Sequence, residues 1–188
     1  MTTLINDIKI ENKIFSLSKE ILFILGFAFL TGISANMKLE IGMVPITMQT
    51  FVVLLSGALL GSKKGAFSQV AYLLMGLSGV FWFARGGGPL YLLSPTFGYI
   101  IGFVLASFAV GFLCEKGFDR RLDMILFALI VGDILIYIPG LLCLSGFIGI
   151  EKALLVGFYP FISGDILKIF LAGAIVSIVK KRSFCDII

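Results

Sequence analysis

Ser163-Gly164-Asp165-Ile166-Leu167-Lys168 runs without a break into Ile169-Phe170-Leu171-Ala172-Gly173-Ala174-Ile175-Val176. The second half holds only apolar and small residues and reads as membrane core. On a helix Asp165 and Lys168, three apart, share one face. A charge pair at the mouth of a membrane helix is costly unless it has a partner, so such residues are functional candidates from the outset. Ser163 or Asp165 can cap this helix, whose first N–H groups and positive dipole end favour an anion. Lys168 adds a full positive charge one turn in. The stretch predicts a membrane helix with a pocket for a small anionic ligand at its entrance.

The rest of the chain agrees with a membrane setting. Its 188 residues are 59% hydrophobic and 14% charged, with a mean hydropathy of +1.10. A soluble domain of this length could not keep so much apolar surface from water. Frequent glycine and the lack of alternating strand patterns favour helices over a β-barrel. The fold class expected is an all-α integral membrane protein. Residues 1–16 lack the basic start and cleavage site of a signal peptide and read as a polar cytoplasmic segment. One membrane domain, 17–182, and a short tail, 183–188, complete the division. Cys114, Cys143 and Cys185 are isolated and predict free thiols. Histidine is absent, which removes the commonest general base and transition-metal ligand. No catalytic residue, cofactor or metal site is expected, and the scattered positive charges form no nucleic-acid surface.

Six membrane helices are expected, over about Leu17–Ala35, Phe51–Leu60, Ala66–Phe83, Pro95–Cys114, Leu122–Ser145 and Gly164–Lys181. Residues 44–50, the polar half before the second, should line a cavity or pack inside the bundle. Glu151 to Ile162 is too short to span and reads as re-entrant or interfacial. Small residues four apart, Ala28 and Gly32, Thr31 and Ala35, then Gly98, Gly102 and Ala106, let other helices approach closely. In a six-helix arrangement Lys9, Lys13, Lys19, Lys63, Lys64, Lys116, Arg120, Arg121, Lys180, Lys181 and Arg182 share one side, against Lys38, Arg85 and Lys152 on the other. That asymmetry places both termini in the cytoplasm and the Asp165/Lys168 mouth outside, with the Arg85 loop.

Other signals carry less. Gly76-Leu77-Ser78-Gly79 would suit an intramembrane serine protease only with a histidine, so Ser78 reads as a helix-packing serine. No G-x-x-x-x-G-K-[ST] is present, so the chain should hydrolyse no ATP unaided. Asp133, midway along the fifth helix, reads as a buried aspartate bonded within the bundle. Trp82 and Tyr91 fit interface anchors or ligand-stacking rings equally. The glycines beside Arg85 suit a loop that closes over a ligand.

Several stretches together resemble one family. They are Val44-Pro45-Ile46-Thr47-Met48-Gln49-Thr50, Leu55-Ser56-Gly57-Ala58-Leu59-Leu60-Gly61, Ser94-Pro95-Thr96-Phe97-Gly98-Tyr99 and Pro160-Phe161-Ile162-Ser163-Gly164-Asp165-Ile166-Leu167-Lys168. In order and at suitable spacing, they are similar to the motifs of BioY proteins, the biotin-specific subunits of energy-coupling-factor transporters. Ser94 stands where that family has glycine, and the Arg85 loop is longer. The resemblance implies a six-helix subunit of the bacterial cytoplasmic membrane that binds biotin from outside. Its partners would be a membrane coupling subunit and two cytosolic ATPases, which some members are thought to do without. It implies ligand contacts from Asp165 and Lys168, completed by Thr47, Gln49, Arg85, Gly86, Gly87, Thr96 and Tyr99. Ala28 and Gly32 would touch the coupling subunit. Chemically, Lys168 suits the biotin carboxylate and Asp165 the ureido N–H groups, although another carboxylated vitamin would satisfy both. A self-sufficient secondary transporter, coupled to protons through Asp133, is the rival reading.

Overall fold

The computed structural model describes residues 2–40 and 43–185, with side chains for 15–40 and 43–180. Part of the expected polar bend (41 and 42), the end of the tail (186–188) and the Cys185 thiol lie outside these. Helix α1 (Thr2–Asn36) begins well before the expected Leu17, since no glycine or proline interrupts residues 2–16. Its stretch of membrane length is Phe15–Asn36. Strands β1 (Lys38–Leu39) and β2 (Ile46–Thr47) then pair antiparallel, Lys38 with Thr47 and Leu39 with Ile46. This small hairpin was not expected.

Helix α2 (Gln49–Leu60) turns at Gly61 into α3 (Ser62–Leu77). The expected continuation of α3 to Phe83 does not occur. Gly79, at φ +110°, stops the helix. Its N–H reaches the Gly76 carbonyl while that of Val80 reaches Met75, the paired closure of a Schellman turn. Ser78 is exposed in this turn rather than buried in a helix interface, its hydroxyl donating to the Met75 carbonyl. After a 3-10 turn (Pro89–Leu93), α4 (Phe97–Leu113), a wider turn (Cys114–Phe118) and α5 (Leu122–Ile148) follow. The short α6 (Ile150–Gly157) occupies the stretch read as unable to span, and α7 (Ile162–Cys185) closes the chain.

Among the described residues, four segments are long and apolar enough to cross a membrane: Phe15–Asn36, Phe97–Phe118, Leu122–Ile148 and Ile162–Lys180. Helices α2 and α3 are shorter. α2 is the axis of the bundle, touching α1, α3, α4, α5 and α7. The broadest interface joins α4 and α5. There the expected small-residue face of α4 is at work: a Cβ on Gly98 would lie 2.1 Å from the Pro139 carbonyl oxygen, and one on Gly102 2.7 Å from Ile136. Below the mouth, Gln69 donates to Ser56 at 3.1 Å and Thr31 at 3.3 Å, and Ser56 meets Ser107 at 2.9 Å. With no water in a bilayer core, such groups must find partners in other helices, and this chain ties α1, α2, α3 and α4 together. Cys114 and Cys143 are free thiols.

Candidate functional site

Asp165 and Lys168 lie in the first turns of α7 and are 3% and 5% exposed. The i, i+3 spacing brings Lys168 Nζ to Asp165 Oδ1 at 2.8 Å. α7 begins at Ile162, so Asp165 is already inside the helix and neither it nor Ser163 makes the expected cap. Its carboxylate turns sideways instead. Tyr137 of α5 donates to Oδ2, and Thr50 of α2 donates to Oδ1 at 3.3 Å. Lys168 also donates to Thr50 Oγ1 at 3.1 Å. Two buried opposite charges thus have hydrogen-bond partners from three helices, the condition under which such a pair is tolerated away from water.

Above this cluster a cavity opens to solvent. Small-molecule sites are mostly apolar with a few placed polar groups. Lys168, Thr50, Gln49 and Thr47 supply the polar groups, while Phe103, Ile136, Tyr137 and Phe161 form apolar walls. Tyr91, Thr96 and Tyr99 line it too, and Val44, Pro45 and Ala84 bring in the two loops at the mouth. Asp165 stands just behind Lys168, off the wall. Gln49 is held in place: its amide donates to the Tyr72 hydroxyl at 2.7 Å and accepts from Thr47 Oγ1 at 3.1 Å. Thr96 meets the Tyr91 hydroxyl at 3.0 Å, and the Tyr99 hydroxyl donates to the Gly157 carbonyl at 2.9 Å. Burial pushes the Tyr91 phenol up from its ordinary pKa.

Thr47, Gln49, Thr96, Tyr99, Asp165 and Lys168 therefore gather at one place. Arg85, Gly86 and Gly87 do not line it. Gly86 closes a tight turn with Phe83, a Cβ on Gly87 would fall 2.3 Å from the Val80 carbonyl oxygen, and Arg85 is exposed. From this loop it is Ala84 that reaches the cavity. Ala28 and Gly32 also differ from expectation. Ala28 is fully buried, and Trp82 lies over Gly32, its ring 2.6 Å from where a Cβ would sit. That face of α1 packs against its own chain. Trp82 is buried against Tyr72 and Phe29, its indole N–H donating to the Tyr72 carbonyl, so it is neither an anchor nor a wall of the cavity. Asp133 is 9% exposed, but its Oδ1 has no hydrogen-bond partner among the described residues, against the expectation of an internal bond.

Thr50 and Tyr137 were missed as site residues. Thr50 stood in a quoted motif and Tyr137 one turn from Asp133; either could have been found by asking which hydroxyls face a buried charge.

A helical membrane bundle with a charged, apolar-walled cavity is the architecture of a membrane protein that takes up a small polar ligand. Comparison with known families identifies which one: residues 5–183 match the BioY family, and the chain belongs to it. It is 38% identical over 152 residues to a probable biotin transporter BioY of Pyrococcus horikoshii, covering 80% of this chain and 90% of that protein. With the biotin transporter BioY of Thermotoga maritima the identity is 36% over 157 residues, covering 82% and 92%. In structure it is similar to the S-component for biotin from an ECF-type ABC transporter, with a TM-score of 0.80, 27% identity and coverage of 88% and 93%.

Proposed function

We propose that this protein takes up biotin, binding it in the cavity above Asp165 and Lys168 as the substrate-specific subunit of an ECF-type transporter. The observation that carries the reading is the buried ion pair at the base of an apolar-walled cavity in a BioY family member. The ligand's polar end replaces the contacts that Asp165 and Lys168 make with each other and with Thr50. Six helices, α1 to α5 and α7, cross the cytoplasmic membrane with both termini inside, and α6 stays at the outer surface. The cavity then opens outward, between the hairpin and the Ala84 loop. A membrane coupling subunit and two cytosolic ATPases supply the energy. The reading assigns transport, not catalysis.

Titration of the purified protein with biotin is the direct test. Saturable binding is expected, and its absence would sink the reading. Lys168→Met should weaken it about ten- to hundredfold, the value of a buried charge-assisted hydrogen bond, with the protein still folded in the membrane. If Asp165 and Lys168 only hold each other, the Asp165→Asn/Lys168→Met double variant would instead recover both folding and binding. The buried Asp133, whose Oδ1 has no hydrogen-bond partner among the described residues, favours a second reading, transport coupled to protons without ATPases. Uptake into vesicles holding this chain alone, driven by a pH gradient and lost in Asp133→Asn, would select it.

A further inference from the structure

Lys168 Nζ and Asp165 Oδ1 are 2.8 Å apart. Biotin carries its ureido group and its carboxylate at opposite ends, with the length of an alkyl chain between them. An extended ligand therefore cannot rest one end on Asp165 and the other on Lys168. The ureido group alone suits both, because it presents N–H and C=O side by side, the complement of a carboxylate next to an ammonium. With the ring end on this pair, the acid end points to the mouth.

Lys38 is the cation at the mouth whose geometry turns it toward the cavity. Its partner across the hairpin is Thr47, and directly opposed residues of an antiparallel pair project from the same face. Thr47 lines the cavity. From that face Lys38 Nζ donates to the carbonyl of Ala84, a cavity residue of the opposite loop, at 2.7 Å. It also pairs with Glu40 Oε1 at 2.7 Å, and holds that carboxyl below the usual range. An ammonium has three donors, so these contacts leave a third. We propose that Lys38 reads the ligand's carboxylate at the mouth, while Asp165 and Lys168 together read the ureido ring. The inference rests on the biotin reading above and replaces the expectation that Lys168 takes the carboxylate.

The test compares biotin with biotin methyl ester on purified full-length protein in lipid nanodiscs, for the wild type, Lys38→Met, Lys38→Arg and Lys168→Met. The wild type should bind the acid roughly three- to tenfold more tightly than the ester, the range for a partly exposed charge-assisted contact. Lys38→Met should bind the acid only as well as the ester, with ester affinity unchanged, which also reports an intact fold. Lys38→Arg should restore the preference. Lys168→Met should weaken both ligands equally and keep their ratio. Because the Lys38 side chain is 30% exposed, the ratio should shrink with added salt. A preference that survives in Lys38→Met, or collapses in Lys168→Met, overturns the assignment while leaving the biotin site standing. A wild type that binds neither ligand overturns the proposed function itself.

Discussion

The Asp165 carboxylate meets donors from three helices: Tyr137 from α5, Thr50 from α2 and Lys168 from α7. Each hydroxyl spreads its negative charge and fixes the direction in which a ligand can approach. Tyr137→Phe and Thr50→Val each remove one such hydrogen bond at nearly constant volume, which should cost about 1–3 kcal/mol where the acceptor is charged. Binding of biotin should weaken roughly five- to hundredfold in either variant, and calorimetry alongside a thermal melt separates that loss from unfolding. Unchanged affinity in both would show that the hydroxyls serve only the fold. The charged pair was legible in the sequence because charge is rare in an apolar run. Its hydroxyl partners were not: Thr50 lies 115 residues from Asp165 and Tyr137 lies 28 away, and hydroxyl side chains are common in membrane helices for packing alone. A side chain's chemistry was readable; which way it turns was not.

Among the elements, the α4–α5 interface depends on the absence of side chains at Gly98 and Gly102. Gly98→Leu would push α4 away from Pro139 and should destabilise the bundle by about 1–3 kcal/mol, as overpacking does. Gly26→Ala is the control. A Cβ there meets nothing within 4 Å, and unfolding in graded denaturant should leave that variant at least as stable as the wild type. Equal loss in both would mean that glycine acts through backbone freedom rather than close approach. The spacing of Gly98, Gly102 and Ala106 announced this interface from sequence, because contact between helices repeats with the helical turn. On α1 the same spacing announced close packing but not its occupant. Trp82, fifty residues on, fills that face only because Gly79 ends α3 early and turns the chain back. The hairpin was invisible because two rungs leave no alternating pattern to read.

For the whole molecule, the loop charges predict one orientation. Single cysteines at positions 85 and 152 should react with a membrane-impermeant reagent added outside, and those at 63 and 116 should not. The reverse pattern would put the cavity on the inner face and undo the uptake reading. Membrane class and most helices were legible because hydropathy reports the solvent each segment faces. The cavity was not, because it is made where α2, α4, α5 and α7 converge with two loops. The position of α2 reaches beyond ligand binding. Its twelve residues are about 18 Å long at 1.5 Å per residue, against a hydrocarbon layer of about 30 Å. As the nascent chain leaves the ribosome, α2 is too short to settle across lipid alone. α1, α3, α4, α5 and α7 pack around it, and none of its residues is exposed. The segment at the axis of the finished bundle is thus the one that leans on its neighbours for its place in the bilayer.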